Sequence, residues 1–394
     1  MIRICICFQK GSCGVTCAMW NPFERKRKRR NAGKTDLLFI RNAVIAGICC
    51  AVLYLVGFNT VLALLGTSTI QYVRPGSGAT TTAVMAPPAA TLDVTAYNKK
   101  LLQLANYKTP LATSTASTTV HRLWPAKAAL PLAGALLPFN RIVAYYGNYY
   151  STGMGVLGEY PESQVLAMLA STSAMWQRAN PSTPIIPAID YIAVTAQGSP
   201  GADGKYRLRM PDDQIQKAID MAAQVHGIVF LDIQVGLSNV ETEVPLLEDY
   251  LKLPQVELSL DPEFAMHDGA RPGTVIGSLD ATDINFASNY LANLVTQYHL
   301  PPKILVVHRF TDDMVTNYRQ IKTLPQVQFV MDMDGWGSQA KKIGTYNAAI
   351  YAEPVQFTGF KLFYKNDVKP PSTGLLTPAQ ILNLIPQPSY IQYQ

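Results

Sequence analysis

Seven carboxylates close short apolar runs between residues 190 and 353. Asp190 follows TPIIPAI, Asp232 lies in GIVFLDIQV (227–235), and Asp261 and Glu263 in QVELSLDPEF (255–264). Asp332 and Asp334 lie in VQFVMDMDG (327–335) and Glu353 in YNAAIYAEP (346–354). His308, Gln234, Tyr145, Tyr146, Tyr191 and Trp336 occupy comparable positions. If these residues share one mouth, the acids repel one another, and without cations some must hold protons, which is how a general acid with a raised pKa arises. One protonated and one ionised carboxyl facing each other suit cleavage of a glycosidic bond, and aromatic rims add flat faces for sugar rings. Each residue also has a plainer reading. Asp190, Asp232 and Asp334 could be helix caps or turn formers, His308 a hydrogen-bonded core residue, and Trp336 a cover over the core. Six successive strand candidates ending in polar residues weigh against chance.

Eight strand candidates supply the positions: 141–149, 183–193, 227–235, 255–264, 303–310, 327–335, 346–354 and 359–367. Helical stretches lie between them, among them PESQVLAMLASTSAMWQRA, PDDQIQKAIDMAAQVH, VPLLEDYLKL, TDINFASNYLANLVTQYHL and DDMVTNYRQIKT. Pro161, Pro211 and Pro378 suit first helical positions, and Asp212 and Asp213 suit the positive end of a helix dipole. Eight β-then-α units over some 250 residues predict a (β/α)8 TIM barrel, with a doubly wound open sheet as the alternative. Alternation identifies the inner face. Val256, Leu258 and Leu260 belong under the helices, while Glu257, Ser259 and Asp261 point inward. The same parity turns Asp190, Asp232, Gln234, His308, Asp332, Asp334 and Glu353 inward at strand C-termini, where barrel enzymes carry their chemistry.

A metal site competes for the same residues. Asp190, Asp232, Asp261, His308 and Asp332 could bind a divalent cation in a phosphoester or amide hydrolase, although no H-x-H or H-E-x-x-H pair occurs; the carboxylate reading itself needs no cofactor. Gly153 to Gly158 matches G-x-G-x-x-G, but Pro161 starts the helix after the loop and Asp190 lies 32 residues beyond Gly158. That fits a rim loop better than a dinucleotide fingerprint.

Charge and cysteine are unevenly distributed. The chain's net +6 divides into +8 over residues 1–41 and −2 over the other 353, which argues against a nucleic-acid partner. All six cysteines precede residue 51, so thiol chemistry is excluded from the barrel. Ala43 to Leu65 is 23 residues without a charge, enough to cross a bilayer, and RKRKRR at 25–30 precedes it. The expectation is a cytoplasmic basic segment (1–42), a membrane signal-anchor helix (43–65), a Thr/Ser/Ala/Pro-rich stalk (66–137) and a barrel outside the cytoplasm (138–394). A cleaved signal peptide would have a shorter apolar region. Met19 opens a more usual N-terminus than Met1, and no N-x-Ser/Thr sequon occurs, in keeping with a bacterial surface protein.

In arrangement, residues 141–367 resemble the (β/α)8 glycoside hydrolases. In the large retaining group the acid/base lies at the end of strand four and the nucleophile at the end of strand seven. The resemblance puts Asp261 or Glu263 in the first role and Glu353 in the second, although the Asn-Glu pair usual at strand four is absent. The strings LDPEF, VVHRF and MDMDGWG also resemble a group of bacterial exported or membrane-anchored barrel proteins, a likeness that brings no activity with it. The implied protein is a membrane-anchored glycan hydrolase, with a non-catalytic glycan-binding module as the alternative. Asp190, Asp232, Gln234, His308, Asp332, Asp334, Trp336, Tyr145 and Tyr146 would bind the glycan.

Overall fold

The computed structural model describes residues 91–108 and 122–394. The expected basic segment, the expected membrane span and residues 66–90 and 109–121 of the expected stalk lie outside the described residues. Among the described residues no helix is long and apolar enough to cross a membrane.

Eight parallel strands form a closed ring: β1 (Arg141–Gly147), β2 (Ile185–Ala196), β3 (Ile228–Ile233), β4 (Val256–Leu260), β5 (Lys303–Arg309), β6 (Val327–Met333), β7 (Phe357–Leu362) and β8 (Tyr390–Tyr393). Each pairs with the next, and β8 returns to β1 through Ile142↔Tyr390 to Tyr145↔Tyr393. Closure by β8 against β1 excludes the doubly wound alternative, whose sheet has two free edges.

Parity behaves as the sequence implies. Val256, Leu258 and Leu260 join the apolar layer between strands and helices, together with Val165 and Leu169 of α2 (Glu162–Ala179), Ile215 and Ile219 of α3 (Asp212–Gln224) and Ile284 and Leu291 of α4 (Ala281–Tyr298). A second apolar cluster fills the lower half of the barrel: Ile142, Ala144, Ala188, Phe230, Ile304, Val306, Val330 and Phe357. Its floor comes from the range read as stalk. There α1 (Val94–Ala105), capped by Asp93 on the Ala96 N–H, buries Tyr97 beside Leu137. Asn106 then donates to the carbonyls of Leu382 and Leu384, so this helix is part of the barrel's packing.

Three expected elements differ. YNAAIYAEP is not a strand: α5 (Gln339–Thr345) runs into a π-helical turn, Tyr346–Tyr351, whose buried residues Tyr346, Ala349 and Ile350 have helical spacing. The seventh strand is therefore the segment expected as the eighth, and the true eighth is Tyr390–Tyr393. The stretch DDMVTNYRQIKT folds as two 3-10 turns around a two-residue strand. VPLLEDYLKL breaks into short turns at Pro245–Leu247 and Glu248–Leu251.

Tyr97→Ala should lower unfolding stability by ~3 kcal/mol in a urea titration, as expected for a deleted buried aromatic ring. Leu102→Ala, on the same helix but 64% exposed, should change it little.

Candidate functional site

Ascending the barrel, inward side chains change from apolar to ionisable. Above the apolar layers lies a buried network. Asp190 accepts from Tyr390 Oη (2.6 Å), Gln392 Nε2 (2.7 Å) and Ser259 Oγ (3.1 Å). Asp232 accepts from Tyr146 Oη at 2.8 Å. His308 Nδ1 lies 3.0 Å from Asp332 Oδ2, and its Nε2 is 3.7 Å from Asp232 Oδ1. Asp332 fits only because its neighbour on β7 is Gly359: a β-carbon there would overlap the Asp332 carboxylate.

The next layer lines an open cavity of about 540 Å³ at the C-terminal mouth. Tyr146, Gln234, Asp261, Glu263, Asp334 and Lys361 face it, with Phe264, Phe310, Trp336 and Phe363 as apolar walls. Asp261 is not in the strand but caps the 3-10 turn Pro262–Phe264, accepting from the Glu263 N–H at 3.2 Å. That turn swings Glu263 into the mouth. Gln234 ties the two layers, with Nε2 3.1 Å from Asp261 Oδ2 and 3.3 Å from Tyr146 Oη. Lys361 Nζ lies 3.0 and 3.1 Å from the two oxygens of Asp334 and 3.8 Å from the centre of the Tyr146 ring.

Six acids, Asp190, Asp232, Asp261, Glu263, Asp332 and Asp334, thus face two cations in this half of the barrel, Lys361 and His308. Burial, helped by the Asp232 charge, pushes Asp190 up to about 7. Burial and the Asp334 charge push Glu263 up to about 7. Burial and Asp232 hold Asp261 well above the usual carboxylate range. Burial opposes charge on His308, but the Asp332 hydrogen bond and the Asp334 and Asp232 charges outweigh it and lift the imidazole to about 10. The upper barrel therefore stays folded by keeping protons on several carboxyls and on His308 at neutral pH.

Of the residues singled out in the sequence, Asp190, Asp232, Gln234, Asp261, Glu263, His308, Asp332, Asp334 and Tyr146 converge here, and Trp336 stands 52% exposed on the rim. Glu353 does not. It follows the π-helical turn and precedes β7, at the opposite end of that strand from the expected one, and pairs with Arg309 at 2.5 Å. Tyr145 and Tyr191 also turn away. Consecutive strand residues face opposite sides, so with Tyr146 inward Tyr145 points out to Thr172 of α2 (2.8 Å), and Tyr191 stacks on Tyr149. The sequence reading missed Lys361, Tyr390 and Gln392. Lys361 had a signal, an inward position two residues after Gly359. The Gly153–Gly158 segment is only partly the expected rim loop: Gly153 and Met154 line the cavity, but Val156–Glu159 forms a short helix, entered through Gly155 at φ +128, before the helix at Glu162. Among the described residues no group of three or more His, Cys, Asp or Glu has the geometry to hold a metal ion.

No family model and no curated protein sequence matches the chain. Glycoside-hydrolase barrels are among the solved structures that do match. The cellulase Cel5C_n is 12% identical over 56% of this chain and 65% of its own, just under two thirds of its length, with TM-score 0.34. A GH18 chitinase from Pseudoalteromonas aurantia is 12% identical over 64% and 93%, also at 0.34. A Bacillus subtilis mannanase is 12% identical over 66% and 81%, at 0.33. At these scores the likeness adds nothing to the closed barrel seen directly, and it brings no reaction with it.

The proton inventory sets the pH dependence of stability. Asp190 and Glu263 have folded pKa values above their unfolded ones, so the folded state binds more protons between about pH 4 and 7 and loses stability as pH rises through that window. His308, also raised, contributes stability present below about 6.5 and lost as pH rises towards 10. The urea midpoint should therefore fall from pH 5 to pH 7.5, and Asp190→Asn should flatten that fall. A midpoint that rises over this range would contradict the assignment.

Proposed function

We propose that the protein is a membrane-tethered hydrolase whose barrel, outside the cytoplasm, cleaves a cell-envelope or environmental glycan. Glu263 supports this reading most: a carboxyl lining the open mouth keeps its proton up to about 7 in the same cavity as an Asp334–Lys361 pair. A protonated carboxyl can deliver its proton to the glycosidic oxygen as the C–O bond breaks. The Asp334 carboxylate faces the positive charge that develops on the sugar carbon and can attack it or activate water. Asp261 positions Glu263 through the turn that it caps. These steps are proton transfers and displacement, and they ask for no cofactor. The tether rests on the uncharged run 43–65 and the basic run before it.

A second reading, a glycan-binding module without turnover, has one observation in its favour. Lys361 sits on both oxygens of Asp334, the carboxylate that hydrolysis needs.

The full-length protein assayed on envelope polysaccharides and aryl glycosides decides between the two. Glu263→Gln should lower kcat by about 10²–10⁴-fold, the usual worth of a general acid, and wild-type activity should fall as pH rises through about 7. Glu353→Gln should leave kcat within about twofold, because Glu353 does not line the mouth, and should instead lower stability by removing the charge that faces the buried Arg309. Glycan binding without wild-type turnover would establish the binding module instead.

A further inference from the structure

We propose that the mouth takes a glycan whose sugar unit over Trp336 carries a carboxylate, with Lys341 and Lys369 as its counter-charges. The inference rests on the glycan reading and narrows its substrate class.

The rim that presents Trp336 is held from beneath. The buried Lys342 Nζ donates to the Gly335 carbonyl at 2.7 Å and pairs with Asp367 at 3.0 Å. The other Asp367 oxygen accepts from the Gly337 N–H at 2.9 Å. The backbone on both sides of Trp336 is thus held, while half of the residue faces solvent. Lys341 is exposed, its stem passes beside Gly337, and its Nζ is 5.0 Å from the Trp336 ring centre. Lys369 Nζ stands 6.0 Å from the same ring and touches Asn366 Oδ1 at 2.7 Å.

Among the described residues neither lysine has an ion pair. Both ammonium groups lie near one indole and repel each other, and an exposed cation–π contact offsets that only weakly. A carboxylate seated between them relieves that repulsion, while the sugar carrying it stacks on the indole. Lysines without an arginine fork suit a monovalent carboxylate better than bidentate phosphate recognition.

The acids of the mouth do not oppose such a ligand. Lys361 pairs with Asp334, and burial raises Asp261 and Glu263 above the usual carboxylate range, which weakens the negative charge they present. The Trp336 side of a cavity lined by three acids is therefore positive.

The test uses the full-length Glu263→Gln chain, so that bound oligomers survive, titrated with hexamers of β-1,4-linked glucuronic acid and of β-1,4-linked glucose. The two share a backbone and differ only at C6. At low salt the uronate should bind about tenfold more tightly, the worth of two exposed charge pairs. Salt of about 0.5 M should erase the difference by screening. Lys341→Met with Lys369→Met should bring the uronate to the level of the glucose hexamer and leave the latter unchanged. Equal affinities, no binding of either hexamer, or a preference that survives the double substitution overturns the inference. A uronate preference in a protein whose wild type turns over neither these hexamers nor the envelope polysaccharides and aryl glycosides upholds the carboxylate subsite and overturns hydrolysis.

Discussion

The upper half of the barrel is governed by charge balance. A closed ring of eight strands shields its interior from water, and an isolated buried carboxylate is expensive enough that it takes up a proton or finds a partner instead. Both solutions occur here. Asp332 and Asp334 have His308 and Lys361, Asp190 has three neutral donors and a raised pKa, and Asp261 and Glu263 keep their protons. Removing a single cation would leave its acid without a counter-charge, so the cluster behaves as a unit. Of the acids with a raised pKa, Asp261 and Glu263 line the cavity, while Asp190 lies in the buried layer beneath it.

Much of this was legible because strand parity is rigid. A polar residue two positions beyond an apolar inward residue must point to the same interior, and that rule placed Asp190, Asp232, His308 and Asp332, while parity opposite to the outward Leu258 and Leu260 placed Asp261. It failed where the period was misjudged. Residues 346–354 have β-like composition, but Tyr346, Ala349 and Ile350 recur as on a helix, and this error carried Glu353 to the wrong end of β7. The final strand, YIQY, is four residues long and has no apolar run, so nothing local marks it. With it went Tyr390 and Gln392, whose importance lies in a partner 200 residues earlier.

Glycine shapes this interior as much as the charged residues do. Gly359 leaves the volume that the Asp332 carboxylate occupies, a close approach that appears only once β6 and β7 are in register. Gly337, at φ +144, has a backbone conformation that favours glycine whatever surrounds it.

Ring closure through β8 has a consequence for how the protein is made. Until Tyr390–Tyr393 has been delivered, β1 and β7 both present unpaired backbone edges, and Asp190 lacks two of its three donors. Every earlier strand can pair in order with its predecessor, but the first one waits for the last. A growing chain is therefore an open, sticky sheet for most of its synthesis.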